Sequence, residues 1–324
     1  MSPSRLSLPD AHARARRLSE ELSKALVGQH AVIRDVLIAL IAAGHVLIEG
    51  VPGLGKTLLV RALAKAVAGQ HSRIQFTPDL MPADITGHAL YDLKSEQFKI
   101  RKGPVFTHFL LADEVNRAPA KTQSALLEVM QEQQVTIEGR AFPLTAPFMV
   151  LATQNPIESE GTYPLPEAQL DRFLLKVRID YPDHGDELDL VRTNLAGQSG
   201  QSFNLDRVEQ VMSLEDVLGL QQAASALAVD EAVLDYAVRL TRATREWPGV
   251  RIGAGPRGSI ALVRAARAAA LLDGLDFVTP DAVKHAALPV LRHRLQLAAE
   301  LEIEGQSSDD VLAQLVAKVD APRA

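Results

Sequence analysis

The sequence has no cysteine and no apolar run long enough to cross a bilayer. The lack of cysteine in 324 residues excludes disulfides, thiol-ligated zinc and a cysteine nucleophile. The longest apolar stretch, residues 36–48, is interrupted by Gly44 and His45 and falls short of the roughly 20 residues that span a membrane. The beginning of the chain also lacks the apolar run of a signal peptide. These absences favour a soluble protein of the reducing cytoplasm, with a length sufficient to bury its own core.

Short apolar segments alternate with helical patterns up to residue 182. The apolar segments are rich in Val, Ile, Leu and Phe and cover residues 46–48, 74–76, 105–111, 148–152 and 174–179. Helical patterns such as 58–67 and 121–133 separate them, and an amphipathic helix is predicted over 10–26. This alternation predicts an α/β domain with a parallel sheet covered on both faces.

Two segments interrupt this alternation, residues 90–100 and 135–144. Each consists of a strand pattern, a polar turn and a second strand pattern. We therefore expect two hairpin insertions in the α/β frame.

The second part of the chain has helical patterns only. A cluster of turn-forming residues at 180–186 marks a predicted boundary, which gives an α/β domain over 1–182 and a helical domain over 183–324. Helices are predicted over 188–195, 214–227, 231–244, 259–272 and 282–291. Thr279 and Pro280 are suited to begin the last of these helices, and Gly274 is suited to end the one before it.

One glycine-rich segment matches the phosphate-binding loop pattern G-x-x-x-x-G-K-[ST] between a predicted strand and a predicted helix. Its backbone N–H groups and the helix N-terminus suit phosphate oxygens, with Lys56 placed to neutralise the β- and γ-phosphates and the Thr57 hydroxyl to bind magnesium. The candidate ATP-binding residues here are Gly50, Val51, Pro52, Gly53, Leu54, Gly55, Lys56, Thr57 and Leu58.

Three polar residues follow two other predicted strands. Asp113 and Glu114 close the strand that ends in 109–112, and Asn155 follows the strand 148–152. Because parallel strands end at one edge of a sheet, we expect these residues beside the loop. Asp113 is suited to hold magnesium, Glu114 to deprotonate an attacking water, and Asn155 to hold that water or the γ-phosphate. Taken alone, the acids could be a solvated strand end and Asn155 a turn residue.

Arg172 precedes the last predicted strand and could be an ordinary surface residue. Phosphoryl transfer spreads negative charge over the γ-phosphate oxygens, and a guanidinium that reaches them accelerates the reaction by orders of magnitude. Since neither the loop nor the acidic pair supplies such a group, Arg172 is a candidate for it.

Together with residues 27–29, these motifs resemble the MoxR family of AAA+ ATPases. The resemblance rests on residues 27–29, 50–57, 111–119, 152–156 and 165–173, and continues through 255–257 and 290–295. It implies a P-loop AAA+ core with a five-stranded parallel sheet, followed by an all-helical lid domain. The two hairpins match insertions that such proteins share with minichromosome-maintenance helicases and magnesium chelatases, where they face the pore or one rim of a ring.

The resemblance also implies roles for single residues. Lys56 and Thr57 correspond to Walker A, Asp113 and Glu114 to Walker B, and Asn155 to sensor 1. It further places Val27, Gly28 and Gln29 near the adenine, Arg172 as the arginine finger for a neighbouring subunit, and Arg257 as sensor 2 of the lid. Gly255 departs from the family pattern, in which a small hydroxyl residue is common, so the turn before Arg257 is less well defined.

The function implied is that of a magnesium-dependent ATPase acting as a homohexameric ring. Such a ring would remodel, assemble or activate a client protein complex, including by metal or cofactor insertion, together with a von Willebrand factor A domain protein. Whether Arg257 reaches its own nucleotide or that of a neighbour does not follow from the sequence.

The sequence gives less support to three other classes of protein. A nucleic-acid motor is favoured only by Lys94, Lys99, Arg101 and Lys102 in the first insertion, and the net charge of -6 opposes it. A small-molecule P-loop kinase would not need a lid arginine or two hairpins. A non-catalytic scaffold does not account for a complete set of catalytic residues.

Overall fold

The computed structural model describes residues 6–51, 53–155, 162–196 and 203–322. Pro52, one of the predicted ATP-binding residues, lies outside the described residues, as does Pro156. Among the helices described, none is both long enough and apolar enough to cross a membrane.

A five-stranded parallel sheet forms the centre of the first part, with strand order β2-β5-β8-β1-β9. In chain order the strands up to this point are β1 Val46–Gly50, β2 His71–Gln75, β3 Gly87–Asp92, β4 Gln97–Lys102, β5 Phe109–Asp113, β6 Gln134–Ile137, β7 Arg140–Pro143, β8 Met149–Gln154 and β9 Leu175–Ile179. The predicted α/β architecture is thereby confirmed. Val105 was predicted to lie in a strand, but it belongs to the turn before β5, where its N–H bonds to Ile85.

Helices cover both faces of this sheet. They are α1 Leu8–Ser23, α2 His30–Ile41, α3 Lys56–Ala66, α4 Pro82–Thr86, α5 Ala120–Glu132 and α6 Glu167–Leu170. Because side chains alternate along a strand, Val46 and Ile48 enter the core that contains α1 to α3, whereas Leu47 enters the core that contains α5. The continuous apolar runs of the inner strands β5 and β8 follow from this burial on two sides, whereas the outer strands β2 and β9 also carry polar residues.

The two predicted hairpins are present as antiparallel pairs, β3 with β4 and β6 with β7. The first begins at Gly87, whose φ of +93° lies in the region that favours glycine. A Cβ at Gly87 would lie 2.2 Å from the carbonyl oxygen of Arg101, so no other residue fits. This glycine therefore determines where the first hairpin begins.

The second part of the chain is a helical lid, as predicted. Its helices are α7 His184–Ala196, α8 Phe203–Asp206, α9 Leu214–Ala226, α10 Glu231–Glu246, α11 Pro256–Leu272, α12 Pro280–Leu291, α13 Ala299–Ile303 and α14 Ser308–Lys318. Thr279 caps α12 by accepting from the N–H of Ala282, and Gly274 follows α11 with a φ of +75°. The sequence did not indicate the short antiparallel pair β10 Val250–Ile252 and β11 Gln296–Leu297.

The junction between the two parts differs in detail from the sequence-based expectation. Helix α7 begins at His184, inside the predicted cluster of turn-forming residues, and the division at 182/183 stays a prediction. Helices α1 and α2 both pack against α11 of the lid, so the N-terminal helices join the sheet to the lid. Helix α2 was not predicted, because residues 36–41 are buried on all sides and show no amphipathic pattern.

Candidate functional site

The glycine-rich loop connects β1 to α3 at the carboxyl edge of the sheet. Gly53 and Gly55 adopt φ values of +91° and +81°, and Gly55 precedes α3 without a side-chain cap. The first N–H groups of α3 therefore have no side-chain acceptor from the cap residue. Lys56 Nζ donates a 2.5 Å hydrogen bond to the carbonyl oxygen of Gly50, across the loop. The loop thus presents backbone N–H groups and an ammonium group at one end of α3.

A cleft of about 710 Å³ lies in front of this loop. Asp113 ends β5, Glu114 follows it, and Asn155 follows β8, so all three stand at the same edge as the loop. The predicted residues that line the cleft are Val27, Gln29, Gly53, Leu54, Gly55, Lys56, Thr57, Leu58, Asp113, Glu114 and Asn155. Gly50 and Val51 form the entry to the loop and do not line the cleft.

Asp113 is held by two neighbours that sequence reasoning missed. The Thr153 hydroxyl on β8 donates to Asp113 Oδ1 at 2.6 Å, and Arg73 on β2 donates to Oδ2 at 2.7 Å. The same Thr153 oxygen accepts the N–H of Glu114 at 2.9 Å. These contacts fix the carboxylate and the following backbone. The available signal was a polar residue on each of β2 and β8, but the sequence does not show that these two strands flank β5.

Glu114 has a left-handed backbone, with φ at +57°, which a non-glycine residue adopts at a cost of about 1–3 kcal/mol. Its carboxylate accepts from Gln75 Nε2 at 2.6 Å and pairs with Arg117 Nε at 3.1 Å. Gln75 lies in register with Asp113, and Arg117 lies on the 3-10 turn that follows Glu114. The side chain is therefore oriented along the wall of the cleft.

The electrostatics of the cleft centre on Lys56. Burial lowers the pKa of its ammonium group, and the charges of Asp113 and Glu114 oppose that shift. Arg61 and Arg73 line the same cleft. Positively charged side chains therefore line the cleft, with the carboxylates of Asp113 and Glu114 beside them.

The other end of the cleft is formed by the segment between α1 and α2. Val27 and Gln29 line it, and Gln29 Nε2 donates to the carbonyl oxygen of Asp180 at 3.4 Å. Gly28 has a φ of +75°, and a Cβ there would lie 2.4 Å from Asp186 Oδ2, so Gly28 permits close contact with α7. Tyr181, which is 74% exposed, lines the cleft beside them and was not identified from the sequence.

The two candidate arginines lie elsewhere. Arg172 and Arg257 line a second cleft of about 350 Å³, together with His45. His45 immediately precedes β1 and Arg172 shortly precedes β9, so this cleft lies at the amino edge of the sheet. The five-residue strands β1 and β9 separate the two edges by about 17 Å. Within one chain, therefore, the arginines do not face the glycine-rich loop.

A P-loop on a five-stranded parallel sheet, followed by a helical lid, defines an ATPase of the AAA+ class. A family profile described as "ATPase family associated with various cellular activities (AAA)" matches residues 45–175, and one for the AAA lid domain matches 242–315.

Comparison with individual proteins gives the same result. The chain is 45% identical to Chaperone MoxR1 of Mycobacterium tuberculosis, over 94% of this chain and 81% of that protein. It is 32% identical to Protein MoxR of Methylorubrum extorquens, over 99% of both. A crystal structure from Cytophaga hutchinsonii, of a protein proposed to be an ATPase, is similar with a TM-score of 0.88 and 41% identity and covers 98% of this chain and 97% of that one. The chain belongs to the MoxR family of AAA+ ATPases.

Proposed function

We propose that the protein binds ATP with magnesium in the carboxyl-edge cleft and hydrolyses it at the boundaries between subunits of a ring. The observation that carries this proposal is the placement of Arg172 and Arg257 at the amino edge of the sheet, away from the P-loop of the same chain. A head-to-tail contact between copies brings the amino edge of one subunit to the carboxyl edge of the next. Both arginines then act on the nucleotide of the neighbour.

The residues of the cleft fit a nucleoside triphosphate. The left-handed glycines and the uncapped N-terminus of α3 supply backbone N–H donors for phosphate oxygens, and Lys56 supplies a cation. At the other end, Tyr181 and Val27 offer a wide apolar surface for a base.

The same cleft fits a magnesium ion held jointly with the nucleotide. The Thr57 hydroxyl and the Asp113 carboxylate are oxygen ligands of the kind that magnesium prefers. Magnesium usually takes one or two protein ligands of this kind and its remaining ligands from phosphates and water. Held by Thr57 and Asp113, the ion would supply positive charge that offsets the charge of the phosphates.

Each remaining residue has a distinct task. Glu114 accepts the proton of the attacking water, and Asn155, which is 7% exposed and lines the same cleft, orients that water or the γ-phosphate. Arg172 stabilises the charge that develops on the γ-phosphate, and Arg257 supports it from the lid. Lys56 holds the phosphates in place in both the ground state and the transition state.

The work done by this cycle is the remodelling, assembly or activation of a client protein complex, including metal or cofactor insertion. A relative named as a chaperone supports this class of work. We propose a homohexamer in the cytoplasm, with a von Willebrand factor A domain protein as partner and domains divided at 182/183.

We do not propose a nucleic-acid substrate. Of the four basic residues in the first hairpin, Lys99 pairs with Asp92 and Lys102 lies 4.8 Å above the Phe106 ring, so half of them are engaged by local contacts.

Substitution of Glu114 and of Lys56 tests the assignment. Glu114→Gln keeps the shape of the side chain but cannot accept a proton, so we expect normal ATP binding and turnover lowered by roughly a hundredfold or more. Lys56→Ala should weaken binding itself. Glu302→Gln, on the exposed surface of the lid, is the matched control. Steady-state ATPase assays, nucleotide titration and light scattering with a non-hydrolysable analogue would measure these effects. Parental turnover in Glu114→Gln, or a monomer at saturating nucleotide, would contradict the proposal.

A further inference from the structure

The short connection between α6 and β9, which carries Arg172, is bound by one arginine of the lid. Arg294 Nε donates to Asp171 Oδ1 at 2.7 Å, and its Nη2 donates to the carbonyl oxygens of Phe173 at 2.8 Å and Asp171 at 3.3 Å. Its Nη1 donates to the carbonyl oxygen of Leu174 at 3.3 Å. The Arg294 side chain is 4% exposed. A single buried guanidinium therefore fixes the residues on both sides of Arg172.

His293 adds a second contact to the same connection. Its Nε2 donates to the carbonyl oxygen of Phe173 at 3.0 Å, and the ring is buried. Burial, together with the neighbouring charge of Arg294, holds the pKa of His293 well below its ordinary value. The ring is neutral at physiological pH, so the fixed charge at this contact belongs to Arg294.

Asp171 joins this arrangement to the second candidate arginine. Its Oδ2 lies 3.7 Å from Arg257 Nη1, while its Oδ1 accepts from Arg294. Arg257 is 66% exposed and Arg294 is buried, so one carboxylate connects a buried guanidinium to a solvent-exposed one. Arg172 follows Asp171 in the chain and lines the same cleft.

We propose that Asp171 and Arg294 are positioning residues, which set the orientation of Arg172 and Arg257 toward the neighbouring subunit and connect Arg172 to the lid that carries Arg257. This inference rests on the proposed function, in which those arginines act across the subunit boundary. Arg294 fixes the backbone on each side of Arg172, and Asp171 restrains the guanidinium of Arg257 by charge. Neither Asp171 nor Arg294 needs to touch nucleotide. Movement of the lid then changes the position of both arginines together.

Asp171→Asn tests this inference, because the amide keeps the size of the side chain and removes its charge. Misplacement of a positioned group by about 1 Å lowers turnover on the order of a hundredfold. We expect kcat to fall about tenfold to a hundredfold, with the KM for ATP and the nucleotide-driven assembly unchanged, since the P-loop cleft is intact. Arg294→Lys should act in the same direction, because an ammonium group cannot make the forked contacts. Arg239→Lys, which alters a lid arginine bonded to Asp235, is the control and should keep parental kcat.

A mixing experiment separates a positioning role from a structural one. Mixed with Glu114→Gln subunits, whose amino-edge cleft is intact, Asp171→Asn subunits should recover activity. Mixed with Arg172→Ala subunits, which are defective at the same cleft, they should recover none. Should Arg294→Lys fail to fold, the Asp171→Asn mixture still decides the matter. The inference is overturned alone when Asp171→Asn rings keep parental kcat while Arg172→Ala rings do not. If Arg172→Ala rings keep full turnover, the proposed function fails and the inference fails with it.

Discussion

The separation of Arg172 from the P-loop within one chain leads to a quantitative expectation for mixed rings. Arg172→Ala leaves the carboxyl-edge cleft intact, and Glu114→Gln leaves the amino-edge cleft intact. Each variant alone should bind ATP and turn it over poorly. In a mixed ring, a boundary is complete only where an Arg172→Ala subunit offers its cleft to the arginine of a Glu114→Gln subunit.

The magnitude follows from counting boundaries. With random mixing, the complete fraction is the product of the two subunit fractions, which is about one quarter at equal amounts when each boundary acts independently. Activity per subunit should therefore rise to about a quarter of the parental value and fall symmetrically on either side of equal mixing. A parental chain mixed with Arg172→Ala should instead lose activity in linear proportion, which provides the control.

The assay is steady-state phosphate release from rings whose subunits have been exchanged, with native mass spectrometry to verify that both variants share a ring. If both groups acted within one chain, every subunit would carry a defect and no ratio would restore activity. Absence of recovery in rings shown to be mixed would therefore refute the reasoning.

Two further predictions concern single side chains. Tyr181→Ala should raise the KM for ATP about tenfold with kcat little changed, because stacking of an aromatic ring on a base contributes on the order of 1–3 kcal/mol. Tyr181→Phe keeps the ring and should behave as the parent. An unchanged KM in Tyr181→Ala would exclude contact with the base. Burial lowers the pKa of His45 to about 4 from an ordinary 6.5, so its neutral form stabilises the fold above about pH 6.5 and that stability is lost as the pH falls toward 4. His45→Gln should therefore reduce the loss of unfolding free energy between pH 6.5 and pH 4 by about 3 kcal/mol. Denaturant titration would measure this, with His30→Gln, at an exposed position, as the control. An equal dependence of unfolding free energy on pH in His45→Gln and the parent would contradict the prediction.

The main features of the fold were predictable because they depend on local sequence. Short apolar segments separated by helical patterns indicate a parallel sheet, and the structure has such a sheet. Helix α2 was missed because a helix that is buried all round has no apolar stripe to detect. The pair β10 and β11 was missed because two or three residues per strand carry too little pattern.

The candidate site was predictable to the extent that it lies on consecutive residues. The P-loop, Asp113 and Glu114 were found from motifs, and the rule that parallel strands end together explains why they meet. Arg73 and Thr153 were missed because their contact with Asp113 depends on the strand order β2-β5-β8, which pattern alone does not fix. Similarly, the meeting of Arg257 with Asp171 depends on how the lid packs against the core.

The proposed site combines residues from two clefts at opposite edges of the parallel sheet, and this has a consequence for assembly. Each head-to-tail contact of the proposed ring would join these clefts from two neighbouring subunits and so complete one site. An open arc then has one complete site fewer than it has subunits. Closing the proposed ring would supply the missing site, so ring closure itself would raise the catalytic capacity of the assembly.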